Sequence, residues 1–397
     1  MSNDFSESND FSDGPDSVTE VTTTGWLQRL FGSVLGLLVG VVLLILSVIL
    51  LWANEGRAVS ALRALQSGAR QLVEANPAAI DPALDGKLVH LSGRMDTAAP
   101  ARDPVFEVSA PGVLRLKRVV EMYQWTESKS TQTHKNLGGS ETKETTYTYT
   151  RQWSQEAVDS SRFHEANGHR NPSMPVHSQT TDSTGVTLGP YRIEPALLDR
   201  VGGFEPFALP NTTAAPPDYR KDANGFYRGQ DSGAPAIGDV RVSYQAVPVQ
   251  TMSVVAAQTS GGLAPFREAG GYTIALVDRG AVPAAEMFHE KQGEERLVTW
   301  ALRLAGFVVM LIGLCLIAHP LGVLVGVIPV LETIVGIGTF LMALTIALPL
   351  TFTVIALAWV AHRPLIGVGL IAAGIVLGYL ARQLYRPSPR VPVPAGR

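Results

Sequence analysis

Three histidines and one glutamate form the densest group of side chains that could bind a metal. They are His164, Glu165, His169 and His177. Imidazole and carboxylate groups coordinate zinc and other transition metals, so this group could serve a metal-dependent enzyme. Its spacing matches no standard metal motif, and the flanking residues are typical of a loop. A solvated loop is the simpler interpretation, and we predict no metal and no other cofactor.

Other signatures of catalysis are missing from the sequence. We find no Gly-rich phosphate loop, no Gly-x-Ser-x-Gly nucleophile motif and no convincing pair of acids. His289 and Glu290 are adjacent, but the second histidine of a zinc-protease helix is absent. We therefore predict that the protein is not an enzyme.

The charge and the cysteine content of the chain exclude further classes of protein. The chain has 32 basic and 35 acidic residues and a formal net charge of -3, so no strong field attracts nucleic acid. The only cysteine, Cys315, lies in an apolar segment. The water-soluble part must therefore fold without disulfides or a cysteine-based zinc site.

A long apolar segment predicts a first transmembrane helix at residues 31–53. It contains no charged residue, and at about 1.5 Å per residue it matches a hydrocarbon core of about 30 Å. Trp26 and Trp52 flank it and Arg57 follows, as expected of residues that anchor a helix at the membrane interface. The polar residues 1–25 are predicted to form a disordered tail.

The C-terminal part of the chain predicts three more transmembrane helices, which makes four in total. They cover residues 299–318, 339–361 and 365–381. Trp300 and Arg363 lie at the ends of these segments and are predicted to be further interface anchors. The fold class is thus a membrane protein with one N-terminal and three C-terminal transmembrane helices.

The segment 321–338 allows two interpretations. Pro329 interrupts it, and Glu332 is the only ionisable residue between 321 and 361. A carboxylate at membrane depth is costly unless it is paired, buried in protein or protonated, so we favour an interfacial or re-entrant segment over two crossing helices. Glu332 could line an ion path, but a residue at the level of the headgroups is the simpler explanation.

Four transmembrane helices place both chain termini on one side of the membrane. The tail 382–397 is basic and contains no acid, which favours the cytoplasm for both termini. The domain 82–298 is then extracytoplasmic, in a periplasm or a lumen. Arg57, Arg63 and Arg70 oppose this orientation, because they follow the first helix on its outer side.

Residues 57–75 have the apolar spacing of an amphipathic helix, with Val59 and Leu65 on one face and arginines elsewhere. This helix could lie on anionic headgroups or pack on the soluble domain. The domain 82–298 shows period-two alternation and is predicted to be a β-rich α+β fold. Its clearest strands cover residues 88–92, 113–125, 145–153 and 240–247, and residues 128–144 are predicted to form a long hairpin loop.

Several strings, in order along the chain, resemble the transmembrane protein 43 family, also called LUMA. They are NEGRAV at 54–59, VHLSG at 89–93, VVEMYQW at 119–125, YTY at 147–149, GHRNPS at 168–173, GDVRVS at 238–243, EMFH at 286–289 and AWVAHRPL at 358–365. The resemblance implies an oligomeric four-span protein whose large domain faces a lumen. Animal members are similar to scaffolds of the endoplasmic reticulum and inner nuclear membrane that associate with emerin and lamins. The family supplies no catalytic residues, and the Ala-, Gly- and Arg-rich C-terminal part favours a bacterial member, which has no lamina.

The leading hypothesis is therefore a membrane scaffold that forms homo-oligomers and binds membrane lipids and other membrane proteins. Small residues of the spans are predicted to mediate self-association: Gly306, Gly313, Gly336, Gly369, Ala373 and Gly374. A bacterial member would lie in the cytoplasmic membrane with a periplasmic domain. The alternatives are a channel or transporter that uses the Glu332 segment, and a metal-dependent enzyme at His164, His169 and His177.

Overall fold

The computed structural model describes residues 16–210, 212–222 and 225–363. The chain divides into two compact units. The β unit contains the described residues up to Arg29, together with Ala64–Lys291 and Val327–Pro329. The helical unit contains Leu30–Arg63, Gln292–Gly326 and the described residues from Val330 onward.

The helices of the described residues are α1 (Trp26–Gln71), α2 (Pro195–Leu198), α3 (Ala284–Val325) and α4 (Pro329–His362). Within these residues, α1, α3 and α4 are long and apolar enough to cross a membrane. Three of the helices that the sequence predicts are thereby accounted for. The predicted fourth helix at 365–381 and the basic tail at 382–397 lie outside the described residues.

Helix α1 joins two segments that the sequence treats as separate. The apolar run 31–53 and the amphipathic segment 57–75 form one continuous helix, which ends at Gln71. No proline interrupts it, and the single glycine at the junction, Gly56, costs only about 1 kcal/mol in a helix. Leu65 is fully buried in a cluster with Leu88 and Val255, so this part of the helix packs on the soluble domain.

The segment 321–338, predicted as an interfacial or re-entrant element, is divided between two helices in the structure. Its first residues complete α3, which passes Pro320 and ends at Val325, and the remainder begins α4. Pro329 is the first residue of α4, where the missing amide hydrogen costs nothing because that position has no intrahelical acceptor. The predicted helix 339–361 is therefore only the second part of a longer helix.

The predicted domain boundary at 298 is also moved by the structure, because α3 begins at Ala284 and not at residue 299. Within the helical unit, α1 and α3 approach closely at two glycines. A Cβ atom on Gly40 would lie 2.6 Å from the carbonyl oxygen of Gly313, and one on Gly306 would lie 2.6 Å from Leu51. Gly306 and Gly313 therefore pack helices of one chain together. Among the described residues, nothing lies within 4 Å of a Cβ atom placed on Gly336, and Gly369, Ala373 and Gly374 lie outside those residues.

The β unit contains the following strands: β1 (Asp16–Thr24), β2 (Val73–Glu74), β3 (Leu88–Asp96), β4 (Ala101–Asp103), β5 (Val108–Ala110), β6 (Val113–Lys135), β7 (Glu141–Ser154), β8 (Gln179–Asp182), β9 (Thr187–Leu188), β10 (Tyr191–Ile193), β11 (Glu205–Pro206), β12 (Arg220–Asp222), β13 (Gly225–Arg228), β14 (Val240–Pro248), β15 (Thr251–Thr259), β16 (Gly262–Ala264), β17 (Phe266–Arg267), β18 (Thr273–Ile274) and β19 (Leu276–Arg279). One sheet has the order β1-β7-β6-β14-β13-β12, with β8 on β6 and β11 on β14. A second sheet has the order β19-β15-β16-β10-β9-β3-β2, with β15 also paired to β3, and β4-β5 and β17-β18 are two-stranded sheets. The prediction of a β-rich domain is confirmed.

A long ribbon extends from the first sheet. Strands β6 and β7 pair from Met122 with Ser154 to Lys135 with Glu141, so most of the predicted loop 128–144 is strand. Alternating β-branched threonines favour the extended backbone, and only residues 136–140 form the turn. Arg29 holds this turn, because its Nη1 donates to the carbonyl oxygen of Gly139 at 2.7 Å.

Strand β1 extends the ribbon at the edge formed by β7, in a register that runs from Asp16 opposite Tyr149 to Thr24 opposite Glu141. Residues 16–24 are therefore not part of a disordered tail. Sequence reasoning missed β1 because Asp, Ser and Glu mask its alternating valines and threonines.

Candidate functional site

Polar side chains of α1 and α3 meet just beyond the apolar run of α1. On α1 they follow directly after Ala53, and on α3 they recur at every fourth residue, which places them on one face of that helix. We call this group the polar cluster. Its members are Asn54, Glu55, Arg57, Glu295, Thr299 and Arg303.

The strongest contact of the polar cluster joins Glu55 to Arg303. Arg303 donates from Nε to Oε1 of Glu55 at 2.7 Å and from Nη2 to Oε2 at 2.9 Å, so the pair is bidentate. Glu55 is 1% exposed and the Arg303 side chain is 21% exposed. The Arg303 guanidinium also lies 4.8 Å from the ring centre of Trp300. Removal of either charge would leave the other desolvated, so the pair fixes the register between the two helices.

A second set of contacts lies next to this pair. Arg57 donates from Nη1 to Glu295 Oε2 at 2.5 Å and from Nη2 to the Thr299 hydroxyl at 3.1 Å. Asn54 donates from Nδ2 to the carbonyl oxygen of Thr299 at 3.1 Å. Arg57 is 37% exposed, so this ion pair contributes less than the buried one. Two arginines and two glutamates make the cluster neutral.

Aromatic rings surround this end of the helices. Trp52 is 42% exposed and Trp300 is 63% exposed. Trp52 contacts His362 edge to face at 5.8 Å, and the Arg363 guanidinium lies 5.0 Å from the ring centre of Trp359. Exposed indole rings beside cations are typical of the headgroup layer of a membrane. Of the predicted interface anchors, Trp52, Trp300 and Arg363 lie here with Arg57, while Trp26 begins α1 at its other end.

The histidines singled out in the sequence are held by aromatic and backbone partners. The ring of His164 stacks on the ring of Tyr147, with 4.1 Å between the ring centres. His169 stacks on Tyr149 at 3.9 Å, and its Nε2 lies 2.8 Å from the Asp16 carboxylate on β1. His169 thereby helps to fix β1 to the sheet.

The other two candidate ligands take backbone roles. The amide of Glu165 donates to the Tyr149 hydroxyl at 2.9 Å, and the carbonyl oxygen of His177 accepts from Arg118. Burial is the main cause that raises the pKa of Tyr149, to about 12. Across residues 16–210, 212–222 and 225–363, no three His, Cys, Asp or Glu side chains are placed to hold a metal. The structure does not bring His164, Glu165, His169 and His177 together as ligands.

Glu332 lies in the first turn of α4 and is 4% exposed. A negative side chain is favourable there, because the helix dipole is positive at its N-terminus. A Cβ atom on Gly326 would lie 2.7 Å from Glu332 Oε2, so the carboxylate packs against the chain that leaves α3. Glu332 lies at the end of a helix and not in its middle. This position favours a residue at the level of the headgroups over one that lines an ion path.

The β unit buries a charge pair that sequence reasoning missed. Arg118 on β6 and Asp103 on β4 form an ion pair and are 5% and 3% exposed. The Tyr244 hydroxyl donates to the second carboxylate oxygen of Asp103 at 2.7 Å. Burial and this carboxylate raise the pKa of Tyr244. Arg118 alternates with the apolar residues Leu116 and Val120 on the buried face of β6, which was the available signal, but its partner lies on another strand.

Membrane-length helices joined by a buried polar cluster, together with a β-rich domain, define an integral membrane protein. The family model described as "Transmembrane protein 43" matches residues 122–364. The chain is 33% identical to transmembrane protein 43 of Rattus norvegicus over 360 residues, which covers 88% of this chain and 90% of that protein. It is also 33% identical to the Homo sapiens protein over 365 residues, with 89% and 90% covered.

The match extends to a more distant relative. The chain is 28% identical to the Drosophila melanogaster transmembrane protein 43 homolog over 373 residues, which covers 90% of this chain and 95% of that protein. No solved structure matches. The chain belongs to the transmembrane protein 43 family, and the resemblance drawn from the sequence is confirmed.

Proposed function

We propose that this protein is a non-enzymatic scaffold of a membrane. It forms homo-oligomers and organises lipids and other membrane proteins through its β-rich domain. The observation that carries this proposal lies in the β unit. The last turns of α1 and the first turns of α3 contribute to the same hydrophobic core. Leu65 of α1 and Met287 and Phe288 of α3 share a buried cluster with Leu88 and Val255. Such a connection suits a protein that holds partners in place.

The residues that could serve catalysis or ion transport also favour a scaffold. The histidine group is occupied by ring stacking and backbone hydrogen bonds, and Glu332 is placed at a helix end. A scaffold requires neither a catalytic group nor an ion path. The near-neutral charge of the chain, -3 in total, supports lipid and protein partners and no nucleic acid.

Oligomer formation is tested by light scattering of the full chain in mild detergent and in nanodiscs. We expect a uniform oligomer. No other part of the chain that the structure describes lies within 4 Å of a Cβ atom placed on Gly336 of α4, so a Gly336→Leu variant should reduce the oligomer mass if α4 supplies the contact between copies. Gly293→Leu, on α3 before the apolar run, is the matched control. A uniform monomer for the unmodified chain would contradict the scaffold.

The location we propose is a bacterial cytoplasmic membrane with the domain in the periplasm. A eukaryotic member would place it in the endoplasmic reticulum and inner nuclear membrane. Cysteines introduced at Ser232 and Ser388 in a Cys315→Ala background test the orientation with a membrane-impermeant maleimide. Ser232 is exposed in the β unit and should react in intact spheroplasts. Ser388, in the basic tail, should react only after permeabilisation, and the reverse pattern would overturn the orientation.

A further inference from the structure

The polar end of the helical unit carries more positive charge than its own carboxylates neutralise. The segments 54–63, 292–303 and 362–363 contain five arginines and three glutamates. The residues that follow, 364–397, contain no acid. Arg57 and Arg303 are each paired with a carboxylate of the polar cluster. Positive charge therefore remains on the other arginines.

One of these arginines contacts the residue that precedes another of them. Arg63 of α1 donates from Nη2 to the carbonyl oxygen of His362 at 2.6 Å. Arg363 is the next residue, and its guanidinium lies 5.0 Å from the ring centre of Trp359. No carboxylate of the described residues forms an ion pair with either guanidinium, in contrast to Arg57 and Arg303. Arg63 is exposed and Arg363 is half-buried, so both can reach a ligand.

The surroundings indicate what this ligand is. His362 fits closely beside α1, because a Cβ atom on Gly56 would lie 2.7 Å from its Nε2. Its ring contacts Trp52, and Trp52 and Trp300 are exposed in the same layer. Indole rings prefer the headgroup layer, where the phosphates of lipids lie. Guanidinium groups bind phosphate through paired hydrogen bonds, and anionic lipids attract basic side chains at this depth.

We propose that Arg63 and Arg363 form a binding site for the phosphate of an anionic phospholipid. A zwitterionic lipid carries the same phosphate, but its ammonium group cancels the charge that two unneutralised arginines attract. The site therefore prefers phosphatidylglycerol to phosphatidylcholine. The proposed scaffold role does not require this preference, so the two proposals can fail separately.

The test is native mass spectrometry of the full chain in detergent, titrated with phosphatidylglycerol or phosphatidylcholine. We expect phosphatidylglycerol to bind more tightly. Each arginine should contribute about fivefold, the factor that corresponds to about 1 kcal/mol for a basic residue at a membrane surface. The variant R63Q/R363Q should lose about 25-fold in affinity for phosphatidylglycerol. The control R70Q removes the same charge from an exposed position further along α1 and should bind like the unmodified chain.

Two further measurements identify the source of the phosphate and exclude a folding defect. Millimolar inorganic phosphate should neither bind alone nor displace the lipid. The single variant R363Q is the second test of the site, because the Arg363 guanidinium lies over the Trp359 ring and its replacement should disturb the fold little. The proposal is overturned by equal affinity for the two lipids, by unchanged binding in R363Q and R63Q/R363Q, by equal loss in R70Q, or by displacement with inorganic phosphate.

Discussion

The β unit and the helical unit both bury an ion pair, but they support it differently. In the β unit, Asp103 and Arg118 lie among strands, and the Tyr244 hydroxyl and the backbone carbonyl of His177 complete their hydrogen bonds. In the helical unit, Glu55 is fully buried while its partner Arg303 keeps part of its surface exposed. The difference shows that the first pair is fixed by the sheet around it. The second pair joins two helices at a level where water and headgroups remain within reach.

The largest effect is expected for Arg118→Met in the β unit. The variant leaves the buried Asp103 carboxylate without its cation, and breaking a buried pair costs about 3–5 kcal/mol. Urea unfolding of the full chain in detergent, followed by tryptophan fluorescence, measures this loss. The double variant Asp103→Asn, Arg118→Met should recover most of the stability, because no uncompensated charge remains. A single variant as stable as the unmodified chain would show that the pair is not buried.

A smaller loss is expected for Glu55→Gln in the helical unit. Arg303 can turn its exposed side towards water or a headgroup, so we expect a cost of about 1–3 kcal/mol, the range for a lost partner of a buried polar group. Thermal unfolding in nanodiscs, followed by circular dichroism of the helices, measures it. The control Glu295→Gln breaks the more exposed pair with Arg57. It should lower the free energy of unfolding by less than about 1 kcal/mol. Equal losses in both variants would remove the distinction between buried and exposed pairs.

Alkaline pH should weaken the β unit and spare the helical unit. Burial raises the pKa of Tyr149 from 10.0 to about 12, so the protonated phenol stabilises the fold fully below pH 10. That contribution is lost as the pH rises from 10 to 12, because the unfolded chain releases the proton more easily. In Tyr149→Phe the stability should fall less steeply across this interval, as measured by urea unfolding at several pH values. An unchanged slope would contradict a buried phenol at this position.

The smallest energetic effect is expected at the edge of the ribbon, where β1 adds exposed residues to β7. Thr19 and Thr146 are opposite each other in the ladder, and their hydroxyl oxygens are 3.2 Å apart. Cysteines at both positions in a Cys315→Ala background should form a disulfide on mild oxidation. Cysteines at Thr19 and Thr142 are the mismatched control, because Thr142 faces Thr23 instead. Absence of the disulfide in the matched pair would show that β1 does not pair with β7.

Much of the helical unit followed from the sequence, because length and apolarity alone specify a helix that crosses a membrane. The boundaries did not follow. The predicted helix 299–318 stopped short of Pro320, and Pro329 was taken as a break, yet α3 continues through Pro320 and Pro329 begins a helix. Proline is tolerated within a long helix when neighbouring helices support the backbone, which a single sequence does not reveal.

The candidate site was predictable only in part. Trp52, Arg57, Trp300 and Arg363 were named as interface anchors from their position beside apolar runs, and the structure places them at one end of the helical unit. The ion pairs were missed, because Arg57 lies 238 residues from Glu295 and Glu55 lies 248 residues from Arg303, and nothing in the local pattern pairs them. The histidine group shows the opposite case. Its residues are close in the sequence and were considered as metal ligands, but the fold does not bring them together.

The sequence by itself determined that this is a membrane protein of the transmembrane protein 43 family with a β-rich domain and no disulfides. These properties depend on composition, periodicity and ordered local strings, which are all read along the chain. Only the tertiary structure decided which charges are neutralised, that β1 belongs to the ribbon and that Arg63 meets His362, the residue before Arg363. Such contacts join residues that are far apart in the chain, and their energies depend on burial and distance.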